Sequence, residues 1–143
     1  MCIRDRVDFA HQIEDEANHY VWLRKYLADY VENPDDFTPP REWVYLMEEY
    51  YPGLKTLEER LAAHNIASES AALGFMEFAL DRLPEKMKKT IDKISKDEFF
   101  HVTFGKTLLK KYCVTEEEQQ RAYDATVEAM RIMREAREVF VNI

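Results

Sequence analysis

The chain has 143 residues, enough for one domain with a hydrophobic core. Its formal net charge of −8 argues against a nucleic-acid backbone as partner, and no apolar run approaches the roughly 20 residues that a membrane span needs. Only three glycines and five prolines occur, which favours helices over hairpins. Cys2 and Cys113 form no CxxC pair, so a cytoplasmic location is the simplest interpretation.

The first six residues, Met-Cys-Ile-Arg-Asp-Arg, look like a translated sequencing adapter of the kind found at the ends of metagenomic gene fragments. We therefore expect residues 1–6 to be non-native and the natural protein to begin further upstream. An ordinary disordered N-terminus is the alternative. The rest of the chain, residues 7–143, is predicted to form a single helical domain.

Helical periodicity dominates that domain. A first helix is predicted from Val7 to about Glu32, where an Asn-Pro-Asp-Asp segment ends it. A crossover segment of about residues 33–55 follows, and it contains a short helix over residues 41–50.

Three further long helices are predicted from their start signals. The capping-box pattern S/T-x-x-E at Thr56 begins a helix that runs to about Arg82. Pro84, tolerated at a first helical position, begins a helix that runs to about Tyr112. A second capping box begins the last helix, over residues 115–139. Four long helices with one long crossover are typical of a helical bundle.

Two D-E-x-x-H motifs, at residues 15–19 and 97–101, lie within predicted long helices. Because residues three apart share a helix face, Glu16 with His19 and Glu98 with His101 can each hold one metal ion. Carboxylate oxygen with imidazole nitrogen suits iron or manganese. A single E-x-x-H is a weak signal, whereas two copies, each preceded by aspartate, are a much stronger one.

The surroundings of the second motif predict that it faces the interior. Apolar residues and a glycine continue its stripe at helical spacing, namely Ile91, Ile94, Gly105 and Leu108. Charged side chains in such a stripe are costly to bury unless they are paired or bound to metal. The helix face that carries the first motif is less uniformly apolar.

Glu69 is the fifth candidate ligand, in a stretch of otherwise small and apolar residues. It precedes Glu98 by 29 residues, and the midpoint falls at Leu83-Pro84, where the proline independently predicts a turn. Two antiparallel helices that meet at this turn would bring Glu69 and Glu98 to the same height.

A two-metal site of this kind takes one Glu from each of two helices and a Glu-x-x-His motif from each of two others. A partner Glu for the first motif would fall about 29 residues earlier, before residue 1. Together with the adapter-like start, this gap leads us to expect that the first helix of the bundle and a sixth ligand are missing from the chain.

These features resemble the ferritin-like di-iron carboxylate superfamily over residues 7 to about 112. The segment 97–108 reads D-E-x-x-H-x-x-F-G-x-x-x-L and is similar to the last metal-binding helix of oxygenase branches such as aldehyde-deformylating oxygenase. The resemblance implies an all-α, ferritin-like four-helix bundle that lacks its first helix and carries a C-terminal helix. It implies two iron ions, with manganese as the other option. It also implies that Asp15 supports His101 and that Asp97 supports His19.

By the same resemblance, we expect a non-haem di-iron oxidase or oxygenase that activates dioxygen for an unidentified small organic substrate, with an external electron donor. A ferroxidase or iron-handling protein of the same fold stays open, as does a non-enzymatic helical interaction module. A plain bundle with buried salt bridges is the alternative for the five ligands, and a homodimer is compatible with all of these. His11 and His64 are predicted to be surface or boundary histidines off the ligand stripes.

Overall fold

The computed structural model describes residues 1–141. Asn142 and Ile143, the end of the predicted domain, lie outside the described residues. The described chain is all-helical and contains no strand. Apart from a single 3₁₀ turn at Pro34–Asp36, it forms five helices: α1 (Ile3–Leu27), α2 (41–53), α3 (57–80), α4 (Glu85–Tyr112) and α5 (Glu116–Val141).

The predicted starts of the last three helices are confirmed. Thr56 and Glu59 form a reciprocal capping box at the start of α3, in which the Thr56 amide donates to Glu59 Oε2 over 2.8 Å. Thr115 and Glu118 make the same pair of bonds at the start of α5. Pro84 directly precedes α4 as its N-cap residue.

Helix α1 differs from its prediction at both ends. It ends at Leu27 rather than near Glu32, because the Tyr30 amide donates to the Leu27 carbonyl over 2.9 Å and tightens the chain into a turn. It begins at Ile3, so residues 3–6 are helical, and Asp5 pairs with Lys111 of α4 at 3.0 Å. The non-native origin of residues 1–6 stays a prediction.

Two helices contain π-helical stretches that periodicity did not predict. One lies at Leu46–Tyr50 in α2, and the other covers eight residues of α3, Leu61–Ser68. Neither stretch contains glycine or proline, the residues that usually disturb a helix. The α3 stretch ends directly before Glu69.

Helix α3 lies at the centre of the packing. It pairs with α4 as a hairpin and with α5 along a second face, while α1 packs on α4 and α2 on α5. Small side chains at the α3–α5 contact let the two backbones approach closely: Ala63, Ala67, Ala125 and Ala129. A second apolar cluster joins Leu61 of α3 to Phe104 and Leu108 of α4.

Helix α1 turns a polar face inward and an apolar face outward. Its buried residues are Asp5, Gln12, Asp15 and His19. Five of its large apolar residues are 56 to 77% exposed, namely Ile3, Val7, Ile13, Tyr20 and Val21, whereas Phe9 is half-buried against Phe104. In residues 1–141, every helix is too short or too polar to cross a membrane.

Candidate metal centre

The second D-E-x-x-H motif lies on the inward face of α4, as its sequence predicts. Glu98 and His101 are buried, with 5% and 0% of their surface exposed. The neighbours along the predicted stripe are buried as well: Ile91, Ile94, Gly105 and Leu108. Two ionisable side chains therefore lie in an otherwise apolar stripe, where they require partners.

The first motif reaches the same region from α1. His19 is buried, whereas the Glu16 side chain is 44% exposed. The Glu16 carboxylate still approaches the α4 motif, because its Oε1 atom lies 3.5 Å from His101 Nδ1. Glu16 therefore forms the edge of the site that borders solvent.

Glu69 of α3 completes a compact group of ligand atoms. Glu69 is buried, and its carboxylate, those of Glu16 and Glu98, and the His101 ring offer atoms that all lie within 4.8 Å of one another. Glu69 and Glu98 thus meet at the same height of the α3–α4 hairpin, as the 29-residue spacing predicts.

The fifth predicted ligand, His19, faces the same carboxylates from the other side. Its Nδ1 atom lies 3.3 Å from Glu98 Oε1 and 3.6 Å from Glu16 Oε2. The second oxygen of each carboxylate faces His101 Nδ1, at 3.3 Å for Glu98 Oε2 and 3.5 Å for Glu16 Oε1. Glu16 and Glu98 therefore each lie between the two imidazole rings, as two bridging carboxylates would.

These distances fit ligands of a common ion. Atoms bound about 2.1 Å from one ion at right angles lie roughly 3 Å apart, slightly closer than the nitrogen–oxygen distances here. The two imidazole rings, of His19 and His101, lie side by side at the cluster with their centroids 6.2 Å apart.

The outer nitrogen of each histidine contacts an aspartate of the opposite motif. His101 Nε2 lies 3.1 Å from Asp15 Oδ2, and His19 Nε2 lies 3.2 Å from Asp97 Oδ2. These are the crossed contacts that the family resemblance implies. Since an ionised carboxylate only accepts hydrogen bonds, both Nε2 atoms act as donors, and both Nδ1 atoms point into the cluster.

The Nδ1 atom of His19 is a buried group whose hydrogen-bonding capacity is not satisfied within residues 1–141. Within the described residues, it is a buried side-chain nitrogen without a hydrogen-bond partner, although the Glu98 and Glu16 oxygens lie nearby. Buried polar atoms are normally paired, so an orphaned imidazole nitrogen among carboxylates needs a further partner such as an ion. The donor set therefore fits a metal cation.

The carboxylates also favour positive charge on the two rings. Burial lowers the pKa of His19, but contacts with Glu16, Glu98 and Asp97 outweigh burial and raise this pKa to about 10. The pKa of His101 is likewise raised to about 10 against the effect of burial. The cluster thus attracts cations, and a metal ion would compete with protons for the same nitrogens.

The two inner glutamates of the hairpin differ in charge. Burial and the neighbouring Glu98 raise the pKa of Glu69 to about 8, against the opposing effect of His101. Burial also acts to raise the pKa of Glu98, but its contacts with both histidines outweigh burial and hold this pKa well below its usual range. Glu98 is therefore the more acidic of the two carboxyl groups.

The two sides of the cluster are not equivalent. On the His101 side, Nδ1 faces oxygens of three carboxylates, since Glu69 Oε1 lies 3.8 Å away in addition to Glu16 and Glu98. On the His19 side, the carboxylates that face Nδ1 within residues 1–141 are Glu16 and Glu98. Glu69 is therefore the carboxylate that distinguishes the His101 side from the His19 side.

Three polar residues at the site were not found from the sequence. Gln12 donates to Glu69 Oε1 over 2.9 Å, and Asn65 donates to Gln12 Oε1 over 2.9 Å. His64 Nδ1 lies 3.2 Å from Glu69 Oε1, although the sequence predicts it to lie off the ligand stripes. Gln12 lies four residues before Glu16, on the same helix face as the first motif. This spacing is the signal from which Gln12 could have been predicted to lie at the site.

Fold and cluster together describe an all-helical protein with a buried glutamate–histidine centre between three helices. No protein-family model, curated protein or solved structure matches the chain. The ligand roles of Glu16, His19, Glu69, Glu98 and His101, and the supporting roles of Asp15 and Asp97, therefore depend on the geometry and chemistry of these residues.

Proposed function

We propose that this chain is a ferritin-like protein with a carboxylate-bridged dimetal centre that activates dioxygen, as a non-haem di-iron oxidase or oxygenase. The observation that supports the proposal is the double position of Glu16 and Glu98, each with one oxygen toward His19 and the other toward His101. Iron is the expected metal, and manganese, which prefers the same ligands, is the other option.

In this proposal, His101 and Glu69 would hold one ion and His19 the second, and Glu16 and Glu98, which face both rings, would serve both ions. The bound ions supply the redox chemistry, and the protein supplies ligands and orientation. Asp15 and Asp97 fix the rings so that each presents Nδ1 to the centre. The half-exposed Glu16 carboxylate is the ligand that borders solvent.

A ferroxidase, which oxidises iron itself, is the second candidate. Two clefts lie along the C-terminal part of α1 and the segment after it, one lined by residues between Tyr20 and Asp35 and the other by residues between Leu27 and Phe37. Neither cleft is lined by a ligand residue, so neither would bring an organic substrate to the metals. A reaction on iron itself needs no cleft for an organic substrate, which keeps the ferroxidase as the second candidate.

Metal loading under anaerobic conditions tests the dimetal proposal. Wild-type protein should bind about two ferrous ions per chain. Glu69→Ala should retain about one ion, because it removes a ligand from the His101 side alone, whereas Glu98→Ala should lose both. Glu14→Ala, a change of the same type at an exposed position of α1, is the matched control and should bind like the wild type.

Metal content and oxygen uptake separate the candidates. Less than one iron per wild-type chain, with no effect of Glu69→Ala, would contradict the dimetal proposal and leave a helical interaction module. If iron binds, repeated oxidation of excess ferrous iron identifies a ferroxidase. Uptake of oxygen limited to the two bound ions, with further turnover only when reductant and an organic substrate are added, identifies an oxidase or oxygenase.

A further inference from the structure

The π-helical stretch of α3 ends at the residue before the ligand Glu69. It covers Leu61–Ser68, and Glu69 begins the α-helical part that follows. Long π-helical stretches are rare, because their backbone geometry is less favourable than that of an α-helix, and they occur mostly at functional sites. The π-helical stretch of α3 is therefore a candidate functional feature.

The stretch changes which residues share a face with Glu69. In an α-helix with 3.6 residues per turn, residues five apart point about 140° away from each other. In a π-helix, hydrogen bonds join residues five apart, so the wider winding brings those residues closer to one face than an α-helix does. His64 precedes Glu69 by five residues, so the π-helical winding turns His64 toward the Glu69 carboxylate.

The contacts agree with this geometry. His64 Nδ1 lies 3.2 Å from Glu69 Oε1, the oxygen to which Gln12 Nε2 also donates over 2.9 Å. The edge of the His64 ring packs against Tyr51 of α2, with ring centroids 5.3 Å apart, so the ring is supported from its outer side. Glu69 Oε1 thus lies within 3.2 Å of two side-chain nitrogens, the Gln12 amide of α1, which donates to it, and the His64 ring of α3 itself.

His64 is not among the atoms that could share the ion directly. The compact group of ligand atoms contains Glu16, Glu69, Glu98 and His101 but not His64. The His64 side chain is also 36% exposed, whereas that of Glu69 is 6% exposed. Its place is therefore behind the ligand, between the Glu69 carboxylate and solvent.

We propose that His64 is a positioning residue of the metal centre, brought to Glu69 by the π-helical winding of α3. Its ring contacts Glu69 Oε1 beside the Gln12 amide, which donates to the same oxygen, and the two side chains hold the carboxylate in the orientation that binds the ion on the His101 side. This inference rests on the proposed dimetal function and adds a residue to it.

Competition titration with Co²⁺, whose visible spectrum reports its ligands, tests the role of His64. The full chain and two variants, His64→Leu and His64→Asn, are titrated against a chelator. His64→Leu removes the imidazole. It should weaken binding of the ion on the His101 side about 10- to 100-fold, the usual effect of removing a partner of a metal ligand. His64→Asn retains an amide N–H near the Nδ1 position and should restore the affinity and the spectrum.

The ion on the His19 side serves as an internal control, because His64 does not contact its ligands, and its affinity should be unchanged. Thermal unfolding of each metal-free variant checks that the helices remain formed, and His64→Ala replaces His64→Leu if the latter does not fold. Equal binding of both ions by His64→Leu or His64→Ala and by the wild type would overturn this inference alone. Failure of the wild type to bind any ion would overturn the proposed function, and this inference with it.

Discussion

At the scale of single residues, the site depends on which nitrogen each histidine presents to the cluster. Asp15 and Asp97 accept hydrogen bonds from the Nε2 atoms of His101 and His19, which leaves both Nδ1 atoms facing the glutamates. The pKa of each imidazole is raised to about 10, so a metal ion must displace the Nδ1 proton before it binds. Metal binding should therefore release protons and weaken in acid.

The ligand residues could be predicted because helical spacing alone brings them together. Glu16 with His19, and Glu98 with His101, are three apart on one face, and a proline-marked turn sets the height of Glu69. Asn65 and His64 could not be predicted in the same way. Asn65 acts through a bond to Gln12, which depends on how α1 packs, and His64 depends on a π-helical winding that no periodicity signals.

Gly105 is required by a close approach of α3 to α4. A Cβ atom at this position would lie 2.4 Å from Asn65 Cβ, which is fixed to the α3 backbone. Gly105→Ala gains about 1 kcal/mol of helix propensity. It loses more to overpacking, so we expect a net destabilisation of about 1–3 kcal/mol in denaturant unfolding.

Gly74→Ala is the matched control for this prediction. Gly74 also lies inside a helix, but a Cβ atom there meets nothing within 4 Å. The alanine should therefore be neutral or stabilising by up to about 1 kcal/mol. Equal effects of the two substitutions on the free energy of unfolding would show that α3 and α4 are not closely packed at Gly105.

At the scale of elements, the helix starts were predictable and two other features were not. Capping boxes and Pro84 are local signals, and the structure confirms all three starts. The early end of α1 is a turn that no glycine or proline marks. The exposure of apolar residues on α1 was also unexpected, because residues such as Ile13 and Val21 repeat at helical spacing yet lie on the exposed side. Spacing reveals an amphipathic helix, but not which face is buried.

An ion pair between Glu58 and Arg121 lies at one end of the α3–α5 contact. Arg121 of α5 donates from Nε and Nη2 to Glu58 Oε1 of α3, at 3.0 and 2.6 Å. Burial acts to raise the pKa of Glu58, but Arg121 outweighs burial and the net pKa is lowered. A carboxyl group with a lowered folded-state pKa stabilises the fold above its unfolded pKa, and this contribution is lost as the pH falls through the folded value.

We therefore expect Glu58→Gln to lower the Tm at about pH 7, with the difference from wild type shrinking toward about pH 3. Glu117→Gln is the matched control. Glu117 pairs with the same Arg121 at 2.8 Å but its side chain is 85% exposed, so its loss should change the Tm little at any pH. A constant difference between Glu58→Gln and wild type across this range would contradict the pKa assigned to Glu58.

At the scale of the whole molecule, the cluster joins parts of the protein that packing joins only weakly. Helix α1 packs on α4 through Phe9, which contacts Phe104, but several of its other large apolar residues face solvent. Most of its inward contacts are polar: Gln12 bonds to Glu69 and to Asn65 of α3, and His19 bonds to Asp97 of α4. In contrast, α3 and α5 share a row of buried alanines. The all-helical class and the four long helices were predictable, whereas this unequal distribution of apolar contact was not.

This distribution predicts a metal-dependent change in the stability of α1. Regions with few buried apolar contacts open most readily, so the α1 amides near residues 10–22 should exchange hydrogen faster than those of α5 in metal-free protein. Two bound ions would link three helices. Their proposed ligands are Glu16 and His19 on α1, Glu98 and His101 on α4, and Glu69 on α3. At a free metal concentration about 100 times the dissociation constant, exchange that requires α1 to open should slow about 100-fold.

Helix α5 is the internal control, because it contributes no ligand and its exchange should change little. Glu98→Ala should abolish the slowing in α1. Equal protection of α1 and α5 in metal-free protein, or slowing in Glu98→Ala, would show that α1 is held by contacts other than the metal centre.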